Sequence, residues 1–131
     1  MMHVGMKLNE FRREWFSRFA SDISKRDMED KVVKTGNYIW HIFSFELVNP
    51  GNYLTGEEAR SAFNKAGKAN AWYILPFKKK ASVEILDSES ITAQQLEQET
   101  EIYIVANDLS WTYIKTHEDD LCGPYFYRLQ P

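Results

Sequence analysis

The last third of the chain contains three short apolar segments, and these constrain the fold more than any other feature. They are rich in aromatic and β-branched residues, which pack well on a pleated sheet. Turn-forming residues separate them, Asn107 and Asp108 in the first gap and Gly123 in the second. We therefore predict three neighbouring strands, the first two joined as a β-hairpin. The segments are EIYIVA (101–106), SWTYIKTH (110–117) and PYFYRL (124–129).

The N-terminal part of the chain has the spacing of an amphipathic helix. Its apolar residues recur every three or four positions, which places them on one helical face. They are Leu8, Phe11, Trp15, Phe19 and Ile23. The charged stretch 25–37 predicts a loop or a short helix that ends in a turn at Thr-Gly-Asn.

Residues 38–48, with the sequence YIWHIFSFELV, are apolar on both alternating faces. Aromatic and branched residues without a polar face are typical of a strand that is covered on both sides of a sheet. We therefore predict a buried strand here, which would place His41 among core residues. The sequence NPGN at 49–52 predicts a turn after it.

A helix is predicted from about 56 to 66, because small apolar residues recur there at helical spacing. Thr55 and Glu58 are spaced as a capping box at its start. Gly67 stands where a left-handed residue would end it. The apolar residues of this segment are Ala59, Ala62, Phe63 and Ala66.

Two further strands are predicted at 71–77 and 81–86, with the lysine run 78–80 between them. Thr92 and Gln95 repeat the capping-box spacing and predict a short helix at about 93–99. The order of elements predicts an α+β fold. We expect a largely antiparallel sheet of about five or six strands, with an N-terminal amphipathic helix and one or two shorter helices packed on it.

Length and composition limit the class of protein. The 131 residues fit one domain, 1–131, and the net charge of −3 gives no reason to expect a nucleic-acid partner. Cys122 is the one cysteine and cannot form an internal disulfide, which favours a reducing, cytoplasmic compartment. The first residues do not have the pattern of a signal peptide. No apolar run reaches the ~20 residues that span a bilayer, so no membrane partner is expected.

His117 ends the predicted strand 110–117 and shares a face with Trp111, Tyr113 and Lys115. Side chains at strand ends can line clefts, and an imidazole exchanges protons near neutral pH. If His41 reaches the same cleft, the two histidines could cleave a phosphodiester as acid and base, with Lys115 stabilising the charge. The simpler interpretation is that His41 is a buried core residue and that His117 fixes the following turn.

The corner at 117–124 is the predicted ligand site, because a polar cluster meets an aromatic wall there. A solvated acidic turn at 118–120 is a simpler interpretation than a metal site, since neighbours on an extended chain point to opposite sides. The lone cysteine is more simply a small buried apolar group than a nucleophile. We predict neither a metal nor a cofactor. The predicted ligand contacts are Trp111, Tyr113, Glu118, Cys122 and Tyr125.

The lysine run 78–80 lies beside Phe77, with Trp72 and Tyr73 close in sequence. A basic turn beside aromatic rings can bind single-stranded nucleic acid through charge and stacking. Only three lysines are present and the chain is acidic overall, so a solubilising turn is the favoured interpretation.

Four strings together resemble a small family of Bacillus-type bacteria, domain-of-unknown-function family 4275. They are YIWHIFSFE (38–46), TGEEARSAFNK (55–65), WTYIKTHE (111–118) and CGPYF (122–126). The resemblance spans nearly the whole chain and implies a one-domain bacterial cytosolic protein, and it implies no catalytic role. It directs attention to Trp40, His41, Trp111, His117, Glu118, Gly123 and Pro124.

Two functions follow as predictions. The first is a binding or interaction module of accessory or immunity type, whose partner is a protein or a small molecule, with a homodimer left open. Aromatic and carboxylate groups on such a domain suit a partner's basic patch. The second is a small hydrolase or nuclease that uses His41 and His117 as acid and base with Lys115. The distance between the two imidazoles separates these functions.

Overall fold

The computed structural model describes residues 1–86, 89–118 and 121–130, and a six-stranded antiparallel sheet forms its centre. The strands are β1 (Tyr53–Thr55), β2 (Trp72–Ile74), β3 (Glu84–Ile85), β4 (Ile102–Val105), β5 (Trp111–Lys115) and β6 (Tyr125–Arg128). Their order across the sheet is β1-β6-β5-β4-β2-β3. β4 and β5 form the predicted hairpin, with Ile102 opposite Lys115 and Val105 opposite Thr112.

Within the described residues, four α-helices accompany the sheet, so the predicted α+β class is confirmed. They are α1 (Leu8–Phe19), α2 (Lys25–Lys31), α3 (His41–Ser44) and α4 (Gly56–Lys65). Short 3-10 helices occur at Val33–Thr35, Pro50–Asn52 and Ala93–Gln98. The amphipathic pattern of α1 is realised as predicted, because Phe11, Trp15 and Phe19 are buried. No helix within the described residues combines the length and the apolar character needed to cross a membrane.

The sheet separates two apolar clusters, so helices cover both of its faces. α1 and α3 pack in the first cluster, to which β5 contributes the side chain of Ile114. α4 and the 3-10 helix at 93–98 pack in the second cluster, to which β5 contributes the side chains of Trp111 and Tyr113. The period-two alternation of side chains produces this division. Thr112 lies between those two aromatics and faces the first cluster, where its hydroxyl accepts a hydrogen bond of 3.0 Å from Trp15 Nε1.

The prediction of a strand at 38–48 is wrong. A turn leads into the short helix α3, and His41, Ile42 and Phe43 are buried in it. A short helix enclosed on all sides needs no polar face, so its sequence has the same uninterrupted apolar character as an interior strand. Left-handed residues mark both ends of the segment, Asn37 with φ of 60° and Glu46 with φ of 54°.

Helix α4 is present at the predicted place, and the predicted caps are wrong at both of its ends. The side chain of Thr55 makes no capping hydrogen bond. At the other end Ala66 leaves the helix in an extended conformation and Gly67 does not adopt a positive φ. Lys68 takes over the capping instead. Its buried ammonium donates hydrogen bonds to the carbonyls of Phe63 (2.9 Å), Asn64 (3.1 Å) and Ala66 (3.0 Å).

The second predicted capping box is confirmed. Thr92 Oγ1 accepts from the backbone N–H of Gln95, and Gln95 Oε1 accepts from the backbone N–H of Thr92 at 2.8 Å. The helix that follows is a 3-10 helix, Ala93–Gln98. Strands β2 and β3 are shorter than the predicted 71–77 and 81–86, because the chain turns immediately after Ile74.

Candidate functional site

One end of the sheet gathers residues from four separate segments of the chain. Glu101 stands just before β4 and His117 just after β5, and antiparallel pairing places these two ends side by side. The loop 75–80 after β2 and the turn before α3 reach the same place. We call this surface the histidine corner and define it by Tyr38, His41, Phe45, Phe77, His117 and Glu118.

The carboxylate of Glu101 lies beneath the histidine corner, and its side chain is fully buried. One oxygen, Oε1, accepts from Trp40 Nε1 at 3.2 Å and from the backbone N–H of His117 at 3.0 Å. The other, Oε2, accepts from the hydroxyl of Tyr103. Burial and the charge of Glu101 raise the pKa of Tyr103, so this hydroxyl keeps its proton and donates. A buried carboxylate is stable only with such a set of donors.

The imidazole of His117 is oriented by the same buried carboxylate. Its Nδ1 lies 2.8 Å from Glu101 Oε1 and donates its proton there, because an ionised carboxylate only accepts. When the ring is neutral, its lone pair is therefore on Nε2, the nitrogen on the opposite side of the ring from Glu101. The side chain is 28% exposed, so a ligand can reach it. A carboxylate that orients an imidazole in this way occurs in catalytic and metal-binding histidines.

Aromatic rings surround the exposed side of His117. The ring centroid of Tyr38 lies 5.0 Å from that of His117, and the Phe77 centroid lies 5.1 Å from it. Tyr38 and Phe77 also contact each other at 6.2 Å. Phe77 is 48% exposed although it is a large apolar residue. These rings form an apolar wall around a fixed polar atom, which is the composition of many binding sites.

His41 contacts aromatic rings that also contact His117. Its ring is 4.5 Å from Trp40 and 5.5 Å from Tyr38, and both of these rings also contact His117. The structure therefore brings the two predicted histidines into one neighbourhood. Burial lowers the pKa of His41 and the charge of His117 lowers it further, while Glu118 and Glu101 oppose the shift.

The tautomer of His41 follows from the single proton of the Thr35 hydroxyl. Thr35 Oγ1 lies 2.7 Å from the carbonyl of Lys31 and 2.6 Å from His41 Nδ1. A carbonyl cannot donate, so the hydroxyl donates to it and accepts from Nδ1–H. Nε2 of His41 is then the lone-pair nitrogen, as it is in His117.

The histidine corner has a negative electrostatic character. The exposed Glu118 follows His117 directly, and its charge raises the pKa of His41, Cys122 and Tyr125. The run of acids continues in sequence with Asp119 and Asp120, which lie outside the described residues. The predicted acidic turn is thus described only at its first residue.

Three of the predicted site residues point away from the histidine corner. Trp111 and Tyr113 are buried in the second cluster, where the Tyr113 ring stacks on Phe63 at 4.4 Å. Lys115 continues the alternation of those two residues along β5 and is 8% exposed. His117 leaves this alternation because the chain departs from the sheet after Lys115. The structure therefore does not bring Lys115 together with the two histidines.

Cys122 and Tyr125 lie on another side of the turn that follows His117. They line a groove of about 320 Å³ together with Phe43 and Tyr53. Burial and the charge of Glu118 raise the pKa of Cys122, although a hydrogen bond with Tyr125 partly offsets this. A thiol with a raised pKa is protonated and unreactive near neutral pH. Tyr125 is 5% exposed and packs on Phe43 at 4.9 Å.

Glu101 is the site residue that sequence reasoning missed. Period-two alternation puts it on the same face as Tyr103 and Val105, both of which are buried. An acidic residue in register with core residues is the signal that would have identified it, because a carboxylate is rarely buried without a purpose-built set of partners. Among the described residues, no group of three or more His, Cys, Asp or Glu side chains is arranged to hold a metal ion.

Comparison with known proteins gives one match. A family model described as Domain of unknown function (DUF4275) matches residues 3–126, which is nearly the whole chain. No curated protein and no solved structure matches the chain. The predicted resemblance is therefore confirmed at the level of the family.

Proposed function

This chain belongs to the DUF4275 family, and we propose that it is a protein-interaction module whose histidine corner receives a basic side chain of a partner. An accessory or immunity-type role is of this kind. The observation that carries the proposal is the position of His117, whose Nδ1 lies 2.8 Å from Glu101 and whose ring contacts the adjoining rings of Tyr38 and Phe77.

The chemistry of the histidine corner suits an arginine or lysine. The lone pair on His117 Nε2 accepts a hydrogen bond from an N–H donor. The faces of Tyr38 and Phe77 attract a cation through their ring quadrupoles. Glu118 supplies an exposed carboxylate beside them. Each contact favours a positively charged donor, and none of them requires a metal or a cofactor.

A peptide titration tests this proposal. The peptide acetyl-Gly-Arg-Gly-amide, added to isotope-labelled protein, should shift the NMR signals of the Phe77 ring and of His117. Trp111 should not respond, because it is buried in the opposite cluster. Glu118→Gln should weaken binding by about two- to fivefold, since exposed ion pairs contribute modestly.

The control variant is Glu29→Gln, which removes the same charge from an exposed position outside the corner. It should leave the affinity for the arginine peptide unchanged. The proposal is wrong if acetyl-Gly-Glu-Gly-amide shifts the same signals more strongly than the arginine peptide. It is equally wrong if Phe77→Ala leaves the binding of the arginine peptide intact.

A hydrolase is the second candidate function, and the pairing of the histidines favours it. Both imidazoles contact Tyr38 and Trp40, and both use Nδ1 for a hydrogen bond within the protein. His41, kept neutral by burial, would accept a proton from water at Nε2. His117 would act in its imidazolium form, which carries a proton on both nitrogens, and would donate the Nε2 proton to the leaving oxygen while Nδ1–H stays on Glu101. Lys115 lies on another face, so this mechanism proceeds without its charge.

Release of p-nitrophenolate from bis(p-nitrophenyl) phosphate tests the hydrolase. His117→Asn should reduce the rate by about a hundredfold or more, as expected when a general acid is lost. Asparagine places its amide nitrogen near the position of Nδ1 and so preserves the hydrogen bond to Glu101. A wild-type rate equal to that of His117→Asn would exclude this function for phosphodiesters.

A further inference from the structure

A basic groove opens beside the loop 75–80, separate from the histidine corner. Its volume is about 290 Å³. The lysines at 78, 79 and 80 all line it, together with Tyr73, Ser82 and Glu84. Phe77 belongs to the same loop and contacts His117, so the loop contributes to two different surfaces.

The backbone of the loop holds three like charges together. The N–H of Lys78 donates to the carbonyl of Leu75 at 3.1 Å, which closes a tight turn. Lys80 has a φ of 59°, a left-handed conformation that residues with a Cβ rarely adopt. Such conformations persist only where the surrounding structure enforces them, and they occur often at ligand sites.

Several other basic residues of the chain form ion pairs with acidic residues. Arg60 pairs with Glu57 at 2.8 Å, and Lys34 pairs with Asp30 at 3.3 Å. The ion pairs formed between described residues do not include any of the three lysines at 78–80. Among the described residues that line the groove, Glu84 is the one carboxylate, so these residues carry an excess of positive charge.

We propose that this groove binds a small phosphorylated molecule. Lysine ammonium groups bind phosphate as point charges, and the Ser82 hydroxyl adds a neutral donor. The ring of Tyr73 gives the groove one aromatic wall. The volume is near the lower end for ligand pockets, which suits a small molecule. A nucleic acid would need a longer basic track than three lysines on an acidic chain provide.

A titration with inorganic pyrophosphate tests the proposal. The backbone amide signals of residues 77–84 should shift in a saturable manner. The triple variant Lys78→Gln, Lys79→Gln, Lys80→Gln should bind pyrophosphate at least about tenfold more weakly, because several charge-assisted hydrogen bonds are lost. All three residues are exposed, so the variant should keep its fold, and its far-ultraviolet circular dichroism verifies this.

The matched control removes the same charge from exposed lysines elsewhere, as Lys25→Gln, Lys31→Gln, Lys65→Gln. This variant should bind pyrophosphate as the wild type does. Equal weakening in both triple variants would overturn the proposal, since general electrostatic attraction would then explain binding. Binding of a single-stranded oligothymidylate in the absence of pyrophosphate binding would overturn it too, in favour of a nucleic-acid surface.

Discussion

Glu101→Gln should lower the free energy of unfolding by about 3 kcal/mol, because buried N–H and O–H donors lose the charged acceptor that they share. Glutamine keeps the shape of the side chain and replaces one acceptor oxygen by a donor NH₂ group. Trp40 Nε1, the backbone N–H of His117 and the Tyr103 hydroxyl all donate to the carboxylate. With the NH₂ group at the Oε1 position, it faces the N–H donors of Trp40 and His117. With the NH₂ group at the Oε2 position, the Tyr103 hydroxyl has to rotate and accept, so its own proton loses its buried acceptor.

Urea denaturation followed by tryptophan fluorescence measures this change in the free energy of unfolding. The control is Glu58→Gln, an exposed carboxylate on α4 whose loss should change stability by less than about 0.5 kcal/mol. If the two variants are equally stable, the hydrogen bonds to the Glu101 carboxylate do not contribute to the free energy of unfolding, and the prediction is wrong. The signals of His117 should also broaden in Glu101→Gln, because the imidazole loses the contact that orients it.

Lys68→Met should lower the free energy of unfolding by about 2–4 kcal/mol, since three carbonyls at the end of α4 lose their donor. Methionine retains most of the apolar stem, so no large cavity is left, but it removes the ammonium that also lies 4.9 Å from the Phe63 ring centroid. The side chain of Lys68 is buried and its ammonium is the cap that Gly67 does not provide. The loss therefore reports on capping rather than on cavity formation.

Lys65→Met provides the matched control for the capping prediction. Lys65 is the last residue of the same helix and is exposed, so its replacement should change stability by less than about 0.5 kcal/mol. Thermal melts monitored at the helical circular dichroism band would compare the two variants. A Lys68→Met melt that matches the Lys65→Met melt would contradict the capping role.

Regular periodicity is the part of the fold that the sequence predicts well. The helical spacing of Phe11, Trp15 and Phe19 leads to α1, because one apolar face is enough to define an amphipathic helix. The C-terminal segments lead to β4, β5 and β6 because they are short, rich in aromatic and β-branched residues, and separated by turn-forming residues. The segment 38–48 has no polar face, so its period is not visible and helix cannot be told from strand.

The functional site is harder to predict, because its residues meet only through tertiary structure. His41 and His117 attract attention by residue type, and the fold brings both against Tyr38 and Trp40. Glu101 contacts His117 across the β-hairpin, a pairing that depends on strand register. The capping by Lys68 likewise depends on a side chain that folds back onto a helix end. The alternation along β4 can mark Glu101 as buried, but no local pattern shows that it contacts His117 or that Lys68 caps α4.

The loop 75–80 joins the two proposed binding surfaces, the histidine corner and the basic groove, which differ in charge. Phe77 is part of the apolar wall of the histidine corner, and the next residue, Lys78, lines the basic groove. Immobilising the ammonium groups would therefore restrict the ring at the same time, and clamping the ring would restrict the ammonium groups. If a ligand of one surface changes the affinity of the other surface for its ligand, thermodynamic linkage requires the reverse effect to have the same factor.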